Sequence, residues 1–228
     1  MQSRWKQSIA LGMFRVAKGC LRILPSHVLR FRPFAVFEVA IGEHANAAAA
    51  RVHQVVDESV ELRWIADRGE FEESGSLVDP RNIRNWDDNS RRAAVVRQNG
   101  QVVGVAWVAT GSYTEAELGL AYHLEPDEVW LFASVVDPRY RRRGLYTALL
   151  SFVIAELQAA RCKRLLLGVS TGNQASLRSH LGVGAKRLGS IFVGKSLGIV
   201  CCTTHGKVGR LSPSAIAWRR PIVVSIGR

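Results

Sequence analysis

Residues Val135–Leu150 read VVDPRYRRRGLYTALL and change from a strand into a helix across a basic turn that contains a glycine. The preceding apolar run, 129–136, has the length and the Val, Trp and Phe content of a buried strand, and Pro138 ends it. After the turn, apolar residues recur at helical spacing at Leu145, Ala148, Leu149, Phe152 and Leu157. We therefore predict a strand, a turn and a helix in this order.

The predicted turn has the properties of an anion-binding site. A helix N-terminus presents unpaired backbone N–H groups and the positive end of the helix dipole. Gly144 allows an anion to approach the backbone, and Arg141, Arg142 and Arg143 add positive charge. We predict phosphate binding here. A solvated basic turn is the alternative, because short glycine motifs produce many false positives.

This segment resembles the acyl-CoA-binding motif of the GNAT N-acyltransferase superfamily. In that motif a strand ending in V-x-P is followed by [QR]-x-x-G-x-[GA] at the start of a helix. The two parts read Val136-Asp137-Pro138 and Arg141-Arg142-Arg143-Gly144-Leu145-Tyr146 in this chain. Tyr146 departs from the pattern at its last position, where the family has a small residue.

A second motif follows the first in the order and at the separation that the family shows. Arg164–Ser170 reads as the next parallel strand, and Asn173 opens a helix that runs toward Gly182. Family members often carry an Asn, a small residue three positions on, a Tyr seven on, and then a Gly-Phe pair. Asn173, Ser176, His180 and Gly184-Ala185 take these positions here. The resemblance covers roughly residues 90–205, and more weakly 35–90, and implies an α/β (α+β) fold with a mixed, splayed sheet flanked by helices.

Charge and composition divide the chain into three parts. Residues 1–32 form a basic arm without an acidic residue, residues 33–212 form the GNAT-like acyltransferase domain, and residues 213–228 form a basic C-terminal tail with the option of a last strand at 222–226. In the arm, residues 1–24 have basic and apolar side chains on opposite faces of a predicted helix. Two interpretations stay open: the apolar stripe packs on the domain, or the helix lies on an anionic membrane surface.

Between the arm and the first motif we predict a strand, an acidic region and a hairpin. The strand is Ala35–Ala40, and the resemblance implies that the acidic region, 57–73, forms helices that close over the acceptor. Its carboxylates either attract a cationic amine substrate or form a solvated helix face. Ala93–Arg97 and Val102–Ala109 read as a β-hairpin around Asn99-Gly100. The segments predicted further along are a longer connection at 109–127 and two strands, Arg187–Lys195 and Leu197–Thr204.

Composition excludes several classes of protein. At 228 residues and 47% hydrophobic content, the chain can bury a core without disulfide or metal support. The four cysteines lack metal-ligand spacing, so we predict reduced thiols and no metal site. No apolar run reaches the roughly 20 residues that span a bilayer, and Arg15 and Lys18 interrupt the N-terminal apolar stretch. We expect a cytoplasmic protein, with the option of a peripheral position at the inner face of the membrane.

The resemblance also implies a cosubstrate and its contacts. The cosubstrate is acyl-CoA, with acetyl-CoA expected, and the backbone of the strand before the turn would pair with its pantetheine arm. The pyrophosphate would rest on the turn and the first helical residues, and Asn173 would bond the pantetheine or cap its helix. The implied binding residues are Ser134, Val135, Val136, Arg141, Arg142, Arg143, Gly144, Leu145, Tyr146, Thr147 and Asn173.

The sequence identifies the catalytic groups less clearly than the binding groups. His180 takes the position of the Tyr that often protonates the departing thiolate, and Ser176 could bond the thiol; a structural role is the alternative for both. Family members often carry a Glu or His base where this chain has Trp130 and Phe132, and sometimes a Glu where it has Gly168. The remaining candidates for the base are Glu115, Glu117, His123, Glu125 and Glu128. A site that uses water relays instead of a protein base is also open.

We therefore predict an acyl-CoA-dependent N-acyltransferase, a transferase of acyl groups other than amino-acyl groups, with an amine acceptor that the sequence does not identify. Two rivals come from other classes. A non-catalytic CoA-binding sensor would explain the absence of the usual base. A nucleic-acid-binding protein would explain the net charge of +12, but the chain carries no signature of a nucleic-acid-binding fold, so we rank this rival below the enzyme.

Overall fold

The computed structural model describes residues 29–43, 59–84, 90–211, 216–218 and 220–227. Most of the predicted basic arm, including the amphipathic segment 1–24, lies outside the described residues. Nine strands form a large mixed sheet in the order β12-β10-β9-β1-β8-β7-β4-β3-β2. Its strands are β1 (Leu29–Ala40), β2 (Val60–Trp64), β3 (Arg91–Gln98), β4 (Gln101–Ala109), β7 (Glu128–Val136), β8 (Arg164–Ser170), β9 (Lys186–Ser196), β10 (Ile199–Gly206) and β12 (Ile216–Trp218).

A second sheet of four strands covers one face of the first, in the order β11-β13-β6-β5. Its strands are β5 (Ser112–Glu115), β6 (Leu120–His123), β11 (Val208–Arg210) and β13 (Ile222–Ile226). The described helices are α1 (Pro80–Arg84), α2 (Leu145–Ala159) and α3 (Gln174–Gly182), with 3-10 segments at Arg68–Leu77 and Pro138–Tyr140. No helix in the described ranges is long and apolar enough to cross a membrane.

Two apolar cores lie on opposite faces of the large sheet. Successive side chains of a strand point to opposite faces, so β7 sends Trp130 and Phe132 into the core that includes the second sheet. Val129 and Leu131 enter the core beneath α2, where Leu149 and Ile154 are fully buried. Because both faces are covered, β7 reads as a continuous apolar run rather than an alternating one.

The strand–turn–helix prediction and the hairpin prediction are confirmed. Strand β7 ends at Val136, and α2 begins at Leu145 directly after Gly144. Strands β3 and β4 are joined by Asn99 and Gly100, both with positive φ (51° and 79°), as a primed turn requires. The helix that opens after Asn173 and the strand at Arg164–Ser170 are also found where they were predicted.

Two segments differ from what the sequence indicated. The connection 109–127, where no strand was predicted, contains β5 and β6, which are held by pairing with each other and with β13 from the C-terminal tail. The described part of the acidic region begins as strand β2 rather than as a helix, because residues 60–64 pair with β3. Its carboxylates have local partners: Glu70 pairs with Arg63 at 2.5 Å, and Asp67 caps the first 3-10 segment.

Candidate active site

A β-bulge in β7 separates this strand from its neighbour β8. Val135 lies opposite Val105 of β4 and Phe132 lies opposite Trp107, so the two residues between them on β7, Ala133 and Ser134, face one residue of β4. Ala133 takes the left-handed region with φ of 45°, which is rare for a residue other than glycine. The bulge bends the end of β7 and marks the start of the site.

Beyond the bulge the large sheet splits. Strands β7 and β8 pair from Glu128 to Leu131 on β7 and from Arg164 to Leu167 on β8. The last residues of β8, 168–170, pair only with β1, which lies along the other edge of β8. A gap therefore opens beside residues 132–136 of β7, where backbone groups on this side have no strand partner in the described sheet.

The basic turn brings the N-terminus of α2 to this gap. Arg142 and Gly144 have positive φ (64° and 78°), which reverses the chain tightly before the helix. Gly144 occupies the N-cap position and provides no side-chain cap, and the first turn of α2 carries no acidic residue. The first N–H groups of α2 are therefore open to an anion.

A cavity of about 540 Å³ connects the gap, the turn and α3. Its walls include every predicted cosubstrate residue except Arg143, whose guanidinium lies 5.4 Å from the centre of the Tyr140 ring. Ser176 also lines the cavity, whereas His180 does not. The predicted residues on the wall are Ser134, Val135, Val136, Arg141, Arg142, Gly144, Leu145, Tyr146, Thr147, Asn173 and Ser176.

Sequence reasoning missed four residues on this wall. They are Tyr140, Ala175, Arg178 and Ser179. Arg178 and Ser179 follow Ala175 by three and four positions, so they share its face of α3, and helical periodicity counted from Ala175 would have identified them. Arg178 adds a cation to the wall opposite the basic turn.

Tyr146 and His180 form a hydrogen-bonded pair at the cavity. The Tyr146 hydroxyl lies 3.2 Å from His180 Nε2, and the two rings meet edge to face. His180 Nδ1 lies 2.8 Å from the Ser176 carbonyl oxygen, which can only accept. The Nδ1 atom of a neutral His180 therefore carries the proton, and the Tyr146 hydroxyl donates to Nε2.

Burial changes the acidity of both members of this pair. His180 is 4% exposed, and desolvation lowers its pKa from the usual 6.5, although the bond to Ser176 opposes this effect. Desolvation raises the pKa of Tyr146 to about 12, while a hydrogen bond with the Ser134 side chain lowers it. Near neutral pH the imidazole is thus uncharged and the phenol is protonated.

Asn173 and Ser176 have structural partners as well as places on the cavity wall. Asn173 Oδ1 accepts from the Ser176 backbone N–H at 3.1 Å and caps α3. The Ser176 hydroxyl lies 3.2 Å from His180 Nδ1. Both residues therefore fix the start of α3, and through it the position of His180.

A second, smaller cavity of about 180 Å³ lies on the other side of the bulge. Trp130, Phe132 and Gly168, the three positions at which family members often carry a base, all line it. Among the five acidic or histidine candidates, all within the described residues, Glu115 alone lies on its wall. Glu128 instead pairs with Arg164, and Glu117 pairs with Arg30 and Arg81.

The comparison with protein families agrees with this geometry. The model of the acetyltransferase (GNAT) family matches residues 59–184, which is more than half of the chain. The chain belongs to the GNAT acetyltransferase family. Membership supports transferase activity with acyl groups. A comparison with curated proteins finds no match.

Solved structures of GNAT proteins share the fold. A putative acetyltransferase from Novosphingobium aromaticivorans is 18% identical with a TM-score of 0.50, and the match covers 73% of this chain but 64% of that protein, less than two thirds. A GCN5-related N-acetyltransferase-like protein from Streptococcus suis is 15% identical with a TM-score of 0.51, covering 78% and 67%. A glucosamine N-acetyltransferase region of a fungal multi-domain enzyme is 15% identical with a TM-score of 0.52, covering 82% and 23%. At these identities the likeness concerns the fold.

Proposed function

We propose that the protein is an acyl-CoA-dependent N-acyltransferase that transfers an acetyl group from acetyl-CoA directly to an amine. The observation that carries the proposal is the gap between β7 and β8, which opens beside the uncapped N-terminus of α2. The gap offers backbone groups to an amide-bearing chain, and the helix offers N–H groups to a phosphate. CoA carries both groups, in its pantetheine arm and its pyrophosphate.

The cavity suits CoA in charge as well as in shape. The pyrophosphate would lie on the N–H groups of Gly144, Leu145, Tyr146 and Thr147, near the guanidinium groups that line the cavity. Arg141 is oriented by its Nε–H, which donates to the Val136 carbonyl at 3.0 Å. Arg178 approaches from α3. The pantetheine amides would pair with the open backbone of residues 134–136.

Transfer requires that a neutral amine attack the thioester carbonyl carbon, that the oxyanion be stabilised, and that the C–S bond break. A backbone N–H at the open edge of β7 would hold the oxyanion. We assign the hydroxyl of Tyr146, which lines the cavity, as the donor to the departing thiolate. Its single proton, which His180 Nε2 accepts in this structure, would turn to the sulfur, and His180 would position the phenol until then. Ser176 supports His180 from α3.

The acidity of Tyr146 defines what it can contribute. Its pKa of about 12 lies above the value of ~8.5 for an ordinary thiol. The phenol therefore stays protonated and stabilises the thiolate by a hydrogen bond without losing its proton completely. The proton that finally neutralises the thiolate comes from the nitrogen of the tetrahedral intermediate.

Calorimetric titration with CoA and acetyl-CoA tests the binding part of the proposal. Gly144→Val places a side chain at φ of 78° and blocks the turn, so we expect CoA affinity to fall by about tenfold or more, the effect of losing one or two hydrogen bonds to charged oxygens. Gly100→Val is the control, because Gly100 has a matching φ of 79° in the β3–β4 turn, where an added Cβ would have no atom within 4 Å. Equal CoA affinity in both variants would contradict the proposal.

Thiol release from acetyl-CoA in the presence of amines tests the catalytic part. Release that depends on the amine indicates a transferase. Tight CoA binding without release from any amine would indicate a CoA-binding sensor instead.

A further inference from the structure

The smaller cavity has aromatic walls. Of its rings, Tyr122 and Trp130 are stacked with centroids 4.0 Å apart, and Phe132 packs on Tyr113 behind the wall with centroids 4.4 Å apart. Phe34 lies against Gly168, where an added Cβ would lie 3.1 Å from the Phe34 ring. Glycine at this position therefore allows the Phe34 ring to pack closely on β8.

One carboxylate lies on this wall, within the described residues. Glu115 is half-buried at the end of β5, and its Oε2 accepts a hydrogen bond from the Tyr113 hydroxyl at 3.2 Å. Arg32 of β1 also lines the cavity. An ammonium group in this cavity would meet aromatic walls and one carboxylate, which attracts a cation, with the charge of Arg32 opposing it.

The cavity is adjacent to the proposed acyl-CoA groove. Ala133 lines the smaller cavity and the next residue, Ser134, lines the larger one. The two cavities therefore lie on either side of the β7 bulge, where β7 and β8 have separated. A nitrogen in the smaller cavity can approach a thioester in the groove through this gap.

We propose that the smaller cavity binds the acceptor as a primary monoamine on a compact apolar or aromatic group, and that Glu115 removes the proton that makes the amine nucleophilic. This inference rests on the proposed function. Glu115 takes one proton from the ammonium and passes it to solvent. The amine lone pair then forms the C–N bond, the C–S bond breaks, and the second nitrogen proton ends on the CoA sulfur.

The surroundings of Glu115 favour this role over a permanent ion pair. Burial raises the pKa of Glu115, and Glu117 raises it further, whereas Tyr113, Arg32 and Arg81 lower it. Arg91 lies over the Tyr113 ring. Desolvation in the same surroundings lowers the pKa of a bound ammonium. The pKa values of the ammonium and of Glu115 therefore approach each other, which eases the proton transfer.

The walls also limit the acceptor. A single carboxylate beside Arg32 opposes the entry of a second cationic group, which disfavours polyamines. The rings offer few partners to the hydroxyl groups of an aminosugar, which would be desolvated without compensation. A monoamine on an apolar group leaves no polar atom unpaired.

Acetyl-CoA turnover with benzylamine, butylamine, spermidine and glucosamine tests the inference in the full chain. We expect the highest kcat/KM with the two monoamines. Glu115→Gln should lower it by about 10²–10⁴-fold and remove the acidic limb of the pH–rate profile. The limb should lie above the usual carboxyl pKa, with activity lost as pH falls through the raised pKa of Glu115.

Glu117→Gln is the matched control, because Glu117 lies two residues away, pairs with Arg30 and Arg81, and does not line this cavity. Above the limb it should keep kcat/KM within about twofold, and it should retain the acidic limb at a lower pH, because Glu117 raises the pKa of Glu115. Calorimetry should show unchanged CoA affinity in both variants. A Glu115→Gln enzyme with wild-type turnover overturns the role of Glu115. The acceptor class is overturned if spermidine or glucosamine is turned over better than the monoamines, or if the enzyme binds CoA but turns over neither monoamine. A wild-type protein that does not bind CoA would instead refute the proposed function.

Discussion

Tyr146 shows how one side chain can change the chemistry of a groove. It takes a position where the family motif has a small residue, and its ring fills part of the space between β7 and α3. Its hydroxyl meets His180, the residue that aligns with the family's acidic Tyr. The phenol thus comes from position 146 instead of position 180 and lies at the cavity wall.

A double-mutant cycle tests the roles proposed for Tyr146 and His180. Tyr146→Phe keeps the ring and removes the donor, so we expect kcat to fall by about 10²–10³-fold, as for loss of one donor at a developing charge, with acyl-CoA affinity unchanged. His180→Ala should lower kcat less, because it only frees the Tyr146 hydroxyl. The double variant should be no slower than Tyr146→Phe. Additive losses in single-turnover rates would show that His180 acts on the substrate by itself.

At the scale of elements, the bulge in β7 and its contact with β4 shape the groove. Gly104 of β4 lies opposite Val136, and an added Cβ there would lie 2.8 Å from Val96, 2.9 Å from Val136 and 3.1 Å from the Val135 carbonyl oxygen. Both residues of β7 also line the cavity. The close approach of these strands therefore fixes the end of the groove.

Gly104→Ala should disturb both stability and binding. Overpacking between two buried strands costs about 1–3 kcal/mol, and a shift of Val135 and Val136 should weaken CoA binding as well. Gly194→Ala on β9 is the control, because its Cβ would meet only Phe31 at an ordinary 3.7 Å. Urea unfolding and CoA titration of both variants measure the two effects. A stable Gly104→Ala protein with normal affinity would show that the strands can separate freely.

At the scale of the whole molecule, Arg164 joins segments that are distant in sequence. Its guanidinium bonds Glu38 of β1 at 2.8 and 3.0 Å, Glu128 of β7, and the Gly227 carbonyl oxygen near the C-terminus at 3.0 Å. Glu128 is 2% exposed. This buried network links the start of the paired part of β7 and β8 to the strand that completes the second sheet.

Removing the arginine should therefore be more costly than removing a surface ion pair. Arg164→Met leaves the Glu128 carboxylate buried without its main partner, and we expect a loss of about 3–5 kcal/mol in the free energy of unfolding. Arg139→Met removes the pair with Asp137, in which the arginine side chain is 73% exposed, and should leave the free energy of unfolding nearly unchanged. Urea unfolding compares the two variants; similar losses would argue against a buried network.

The sequence determined the elements whose conformation is set within a few residues. Pro138 and Gly144 bound the basic turn, Asn99-Gly100 fixes the hairpin, and Asn173 caps α3 with its own side chain. Each signal acts through backbone dihedral angles or a hydrogen bond to a near neighbour. For this reason the residues that line the larger cavity could be predicted almost one by one.

Only the tertiary structure decided which distant groups meet. Strands β5 and β6 have four residues each, and β6 pairs with β13 about a hundred positions later, so local patterns could not reveal them. Glu115 could not be distinguished from its acidic neighbours until β5 placed it beside Phe34 and Trp130. The direction of the Tyr146 ring likewise depends on α3. Such contacts are selected by packing between segments far apart in the chain, and short-range propensity carries no information about them.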